Sequence, residues 1–373
     1  MYSESDLESA IAGGALTPEQ ASRFRDFVAS GRHMPVVDEE HFRLLTGFND
    51  IFVAIAAAIL LVAMAWIGHY IGPRIEGEGP SATSGLLVAA SAWGLAEFFT
   101  RQRRMALPSI ILLLAFTGGV MAASTFGLAI IIGPEYFDHN ASAFALLVSA
   151  GAAIAVAATW FHWRRFRVPI TVAAGAAAVV AVVLALIASS LVGDGQNISD
   201  ARGEQIMSIL EGVALMLGIG TFLFAMRWDA SDPRRETRRS DVAFWLHLLA
   251  APLIVHPIFS LLGLTEGAAS TVDGIAVVLL YVVLGLVALA IDRRALLVSA
   301  LAYVLFALNS LFETYGAVEL SIALTALVIG SALLLLSAFW TNARRAVVQP
   351  LPDGLKARLP VLDRVSMPAT AST

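Results

Sequence analysis

Long apolar runs broken by short polar turns dominate this chain. Met105 to Pro134 holds no charged residue, and neither does Val168 to Gly193. A helix rises 1.5 Å per residue, so about 20 apolar residues cross the roughly 30 Å hydrocarbon core of a bilayer. Both runs are long enough to do so. The same reading along the whole chain predicts ten helical spans, at 51–71, 83–100, 107–132, 141–162, 168–192, 205–226, 242–264, 273–291, 295–313 and 319–341. The last two are divided at Glu313-Thr-Tyr-Gly-Ala-Val-Glu319, because 295–343 as one apolar element is far too long for a single crossing.

Residues 1–49 read differently, as a small cytosolic helical cap. Asp6 to Ala12 suits a short helix stopped by Gly13-Gly14. Thr17-Pro18-Glu19-Gln20 then has the form of a helix start, with Thr17 as N-cap, Pro18 in the first turn and Gln20 reaching back in a capping box. Ala21, Phe24, Phe27 and Val28 recur three or four apart and give that helix one apolar face, for packing within the cap or for docking a partner. Nothing in this region has the basic-then-apolar pattern of a cleavable leader, so the run from Ile51 is expected to serve as an uncleaved anchor. At the other end, residues 343–373 carry Pro350, Pro352, Pro360 and Pro368 and close on small polar residues, the composition of a flexible tail. The transmembrane region is therefore 50–342.

Composition agrees with the pattern. Charged residues make up 14% of the chain and hydrophobic ones 58%, with a mean hydropathy of +0.78. An ordinary soluble domain carries about 25% charged residues. There is no cysteine, which excludes disulfides, thiolate metal sites and cysteine nucleophiles. Abundant Ala, Gly, Val and Arg point to a bacterial source.

The distribution of charge adds an orientation. Of the 24 basic residues, all but Arg74 and Arg202 fall in the cap, the tail or the loops after even-numbered spans. The loops after odd-numbered spans carry Glu76, Glu135, Asp194, Asp200, Glu266 and Glu313 instead. Basic residues stay on the cytoplasmic side of a membrane, so both termini are expected inside, in a bacterial inner membrane. Trp160, Trp163, Trp228, Trp245 and Trp340 fall at the same helix ends, where amphipathic rings settle. Arg103-Arg-Met-Ala-Leu-Pro108 and Arg164-Arg-Phe-Arg-Val-Pro169 share an Arg-Arg-x-x-x-Pro register, and Arg293-Arg294 follows it without the proline. Orientation by arginine and helix initiation by proline explain this without an ancestral repeat.

The cap sequence Leu-x-x-x-Ile-x-x-Gly-x-Leu-Thr-Pro-Glu-Gln-Ala, from Leu7 to Ala21, lies directly ahead of a many-span region. In this it resembles a set of uncharacterised bacterial multi-pass membrane proteins, catalogued as domains of unknown function. The spans and their charge alternation predict an all-α integral membrane fold in five hairpins; the resemblance covers mainly the first fifty residues and the overall layout, and it implies no activity.

Ionisable groups inside a bilayer are costly and mark function by default. Glu97 sits four residues before Arg101, Asp292 adjoins Arg293, and His162 adjoins Arg164, so these read as interface residues. Glu211, His256 and Asn309 lie deeper; they either bridge neighbouring helices as structural glue or form the candidate substrate or proton site. His256 and Asn309 are expected at similar depth in the outer half. His247, nine residues before His256, falls on the opposite helix face. Pro252 and Pro257 flank that region and are expected to kink or interrupt the seventh span and free carbonyls near His256. Small residues at Gly151, Ala155, Gly175 and Val179 suggest close helix packing. Asn140-Ala-Ser and Asn197-Ile-Ser match glycosylation acceptors.

No phosphate loop, zinc-protease motif, nucleophile elbow or nucleic-acid pattern occurs, and no cofactor or metal is implied. Two functions follow. One is a small-solute transporter, with the lipid bilayer as its medium. The other is a non-catalytic scaffold or sensor that recruits a cytosolic protein partner through the cap. An intramembrane enzyme is disfavoured, since nucleophile, base and orienting group cannot be assembled.

Overall fold

The structure, a computed structural model, describes residues 7, 10–31, 48–73, 81–138, 140–193, 199–232, 237–261, 271–294, 296–297, 301, 304–305, 308–309, 312, 320–356, 359–360 and 362. They fall into two units, Met1–Arg43 and Leu44–Thr373.

In the first unit, helix α1 spans Pro18–Gly31. Its capping box forms as the sequence requires: the Thr17 N–H donates to Gln20 Oε1 at 2.9 Å, and the Gln20 N–H to Thr17 Oγ1 at 3.2 Å. The chain reverses ahead of it at Gly14, whose φ of 73° only glycine adopts without strain. Leu7 and Ala21 are buried. The side chains of Phe27 and Val28 lie outside the described residues.

The second unit is built of helices, with no strand among its described residues. Its elements are α2 (Phe48–Ile71), α3 (Ala82–Ala96) continued by a π-helical segment (Glu97–Gln102), α4 (Ala106–Ile132), the short α5 (Glu135–Asp138), α6 (Ala141–Phe166), α7 (Ile170–Val192), α8 (Asp200–Ala230), α9 (Arg238–Leu261), α10 (Thr271–Ile291), α11 (Ser321–Ala338), α12 (Trp340–Val348) and α13 (Asp353–Lys356). The described residues within 296–312 are mostly helical too. Eight of these helices are long and apolar enough to cross a membrane, corresponding to the expected first seven spans and the tenth. A further apolar stretch, Ile275–Ile291, is shorter. The dividing residues 313–319 lie outside the described set.

The chain is thus an all-α membrane protein, and its surface says the same. Ile131, Met216, Ile322 and Leu334 are each more than two-thirds exposed, at 81%, 68%, 77% and 74%, a disposition that suits lipid and not water. α9 is the most enclosed span, with half of its apolar window buried against 17% for α8 and α11.

Helices α2, α3, α4, α6 and α7 pack through small residues. A Cβ added at Gly85 of α3 would lie 2.4 Å from the Ala123 nitrogen of α4, and one at Gly119 of α4 would lie 2.7 Å from the Gly85 oxygen. Backbone therefore meets backbone. Serine hydroxyls reinforce the seams: Ser84 Oγ donates to Ala65 O at 2.7 Å, and Ser189 Oγ to Ser142 O at 2.9 Å. Gly151 packs on Thr125 and Gly175 on Thr159, so the small-residue spacing is used for helix contact.

Several expectations need revision. Pro252 and Pro257 lie inside an uninterrupted α9, so neither breaks it. Burial of Ala250, Ala251, Val255, Pro257 and Phe259 holds the helix together across two missing donors. Pro257 cannot supply the N–H that Leu253 O would ordinarily accept. That carbonyl instead faces Gly218 of α8, so closely that a Cβ there would stand 2.8 Å from it. Residues 343–348, expected to belong to a flexible tail, lie instead in the helix α12, with Arg344 and Val348 buried. The left-handed residues Arg104 and Arg167 fall two positions out of phase in the Arg-Arg-x-x-x-Pro register, which agrees with a register set by orientation and helix initiation and not by a repeat. Asn140 caps α6, its Oδ1 accepting from Ala143 N at 3.0 Å and Ser142 Oγ at 2.8 Å, which explains the motif without a glycan.

Candidate functional site

Two polar sites lie along α8, separated by the 18 residues from Glu211 to Asp229, about 27 Å of helix axis.

At the first, Ser260 Oγ of α9 donates to Glu211 Oε1 of α8 at 2.5 Å. Both side chains are half-buried. His256 lies one helical turn before Ser260 on α9 and is exposed. His247, by contrast, is fully buried, as expected for opposite faces. Asn309 is half-buried in the 296–312 stretch. Among the described residues Glu211 bonds to Ser260, so the serine, which the sequence did not single out, is its immediate partner. Residue types alone could not reveal this, because a serine in a span is usually bonded to its own helix.

The second site lies at the arginine-bearing end, and sequence reasoning missed it. The Asp229 carboxylate is reached by three donors. His247 Nε2 donates to Oδ2 at 2.9 Å, Arg293 Nε to Oδ2 at 3.3 Å, and an Arg293 terminal nitrogen to Oδ1. The same Arg293 group also donates to Ser240 O at 3.1 Å and Ser240 Oγ at 3.2 Å. Asp229, His247 and Arg293 are 3%, 0% and 2% exposed, so this charge pair has no help from solvent.

Local backbone explains how Asp292 and Arg293 reach opposite partners. Asp292 adopts φ 57° after the end of α10, and Arg293 N–H closes the turn onto Ala288 O at 2.9 Å. That left-handed residue reverses the chain. Asp292 then accepts the Trp340 indole N–H at 2.7 Å and lies 3.7 Å from Arg344 Nε, while Arg344 donates to Pro360 O at 2.6 Å. Asp292 and His162, placed by the sequence near helix ends beside arginines, are buried within the protein, at 3% and 1% exposed. His162 packs among Trp93, Phe116 and Phe166, with Thr171 Oγ1 3.3 Å from Nδ1. Glu97 does pair with Arg101 at 3.4 Å, and it also grips Arg165 of α6 through two bonds of 2.7 and 2.9 Å.

The chemistry of the two sites differs. The Asp229 carboxylate is saturated by fixed cationic and imidazole donors, so its job is to hold three elements together. Glu211 faces one hydroxyl and no described cation, leaving it able to take up a proton or a ligand. Among the described residues no group of three metal-ligating side chains converges. Comparison with models of protein families, with curated proteins and with solved structures returns no match for this chain.

Proposed function

We propose that this is a multi-pass protein of a bacterial inner membrane, with ten spans and both termini in the cytoplasm, that carries a small solute along the seam between α8 and α9. Glu211 is its substrate- or proton-binding carboxyl. The observation that carries the reading is the Glu211–Ser260 pair, an ionisable group within a span whose only described partner is a neutral hydroxyl. An ionisable group is kept in such a place at a cost that function repays. His256, one turn away on the same helix, supports the site as a second titratable group, and Asn309 belongs to it as a hydrogen-bonding wall.

The test uses purified protein in proteoliposomes challenged with a panel of labelled amino acids, sugars and organic acids under an imposed pH gradient. Wild type accumulates at least one of them. Glu211→Gln, which keeps shape and removes the charge, abolishes accumulation while folding and yield are unchanged. Equal uptake by both proteins overturns the assignment. Orientation is checked separately: the chain has no cysteine, so single cysteines at Arg101 and Arg345 report without background. Both are expected to resist a membrane-impermeant maleimide added outside whole cells, and one at Glu135 to react.

A further inference from the structure

A cavity of about 140 Å³ opens between α10, the 296–301 stretch, α11 and α12. Leu297, Leu301, Leu333 and Leu336 form most of its wall, and Tyr281 of α10 lines it. Trp340 closes one end, its ring covered by the Arg294 guanidinium 4.8 Å from the centroid. We propose that this cavity binds the ring of an isoprenoid quinone dissolved in the bilayer, with one quinone carbonyl accepting a hydrogen bond from the Tyr281 hydroxyl. None of these walls belongs to α8 or α9, so the inference stands apart from the transport seam and shares with it only α10 as a span.

Three observations carry the proposal. The first is the hydroxyl. Tyr281 Oη is buried with no hydrogen-bond partner among the described residues. Buried polar groups are nearly always satisfied, so this one points to a partner that binds. The second is depth. Tyr281 lies ten residues from each end of α10 (Thr271–Ile291), about 15 Å of helix either way. Water does not reach that level of a bilayer, and the ester oxygens of lipids lie near the headgroups. The acceptor must therefore arrive on a molecule that is itself soluble in hydrocarbon. The third is size and polarity. Around Tyr281 the wall is mostly leucine. An apolar cavity of roughly 150 Å³ takes a benzene ring. A six-membered ring that carries a carbonyl oxygen and travels in hydrocarbon on an apolar tail is a quinone. Ser337 at the rim is exposed on α11, so the cavity opens sideways to the bilayer and leaves a route for the tail. The charge of Arg294 takes no part.

The experiment is native mass spectrometry of the full chain in mild detergent, titrated with decylubiquinone or with decylbenzene, which has a ring and tail but no carbonyl. Wild type is expected to retain a single decylubiquinone, and to hold it more tightly than decylbenzene. Tyr281→Phe keeps the ring and removes an unpartnered hydroxyl, so the unfolding midpoint does not fall. The variant lowers decylubiquinone affinity about fivefold, the factor of one net hydrogen bond, and leaves decylbenzene unchanged. Leu333→Trp fills the cavity and lowers retention of both. Thr325→Val is the matched control. Thr325 Oγ1 of α11 is another buried hydroxyl without a partner among the described residues, but Thr325 is no wall of the cavity. This variant is expected to change nothing. The proposal fails if wild type retains no decylubiquinone, if Tyr281→Phe binds it like wild type, or if Thr325→Val matches Tyr281→Phe. Equal binding of decylbenzene by wild type also overturns it, since the cavity then takes any apolar tail.

Discussion

The two halves of the transmembrane unit cohere by different forces. From α2 to α7 the helices touch backbone to backbone through Gly68, Gly85 and Gly119, and Gly151 seats the Thr125 side chain, with serine hydroxyls bonding across the seams. From α8 onward the arginine-bearing end is held by buried charge, Asp229 to His247 and Arg293, Asp292 to Trp340 and Arg344. Lipid tails are as apolar as leucine, so oil alone does not drive spans together. Close packing answers this with many small dispersion contacts, each individually weak. A buried ion pair answers it with a few strong ones, at a desolvation cost that only complete pairing offsets. The first kind of seam tolerates loss of one contact but no added bulk. The second tolerates bulk elsewhere but not the loss of a partner.

The largest effect is therefore expected from Asp229→Ala, which strands Arg293 and His247 in a dry site. It should cost about 3–5 kcal/mol, read as a lowered unfolding midpoint in detergent and reduced yield. Asp229→Leu with Arg293→Met removes both charges and should recover most of that loss. Next comes Gly85→Ala. Its new methyl meets backbone of α4 on two sides, at 2.4 and 2.6 Å, and overpacking of this kind costs about 1–3 kcal/mol. Gly218→Ala belongs in the same class, since it drives into the Leu253 carbonyl that Pro257 leaves without a donor. Gly94→Ala and Gly118→Ala, where an added Cβ meets nothing within 4 Å, should be neutral or stabilise by about 0.5–1 kcal/mol. The smallest effect is expected at Glu97→Gln. Its ion pairs with Arg165 and Arg101 are exposed, and solvent screening leaves such pairs little to contribute.

The packed half was the more legible in the sequence. Uncharged runs located its helices, and small residues three or four apart marked faces that do meet. The charged half was not legible, for a physical reason. Arginine at a cytoplasmic helix end is already accounted for by topology, so Arg293 and Arg344 left no residual signal. Asp229 lay beyond the expected end of its span, whereas α8 continues to Ala230. The pairing of residues 64 positions apart depends on how non-adjacent helices dock, and no periodicity encodes that. One clue was present: an aspartate ahead of two arginines, Asp292-Arg293-Arg294, is poorly suited to simple retention by positive charge. For the proposed transport site the sequence located Glu211, but its serine partner required knowing which faces of α8 and α9 meet. Pro257 left the Leu253 carbonyl without its helical donor, as the sequence suggests, but enclosure of α9 kept the helix continuous across both prolines.

A double-mutant cycle between Asp229 and Arg293 tests the central contrast most directly. Unfolding free energies would be measured for Asp229→Asn, Arg293→Gln and the pair. A charge-held seam predicts a coupling of about 1–3 kcal/mol, with the double variant more stable than the sum of single losses allows. A coupling within about 0.5 kcal/mol of zero would mean that this half, too, is held by packing alone.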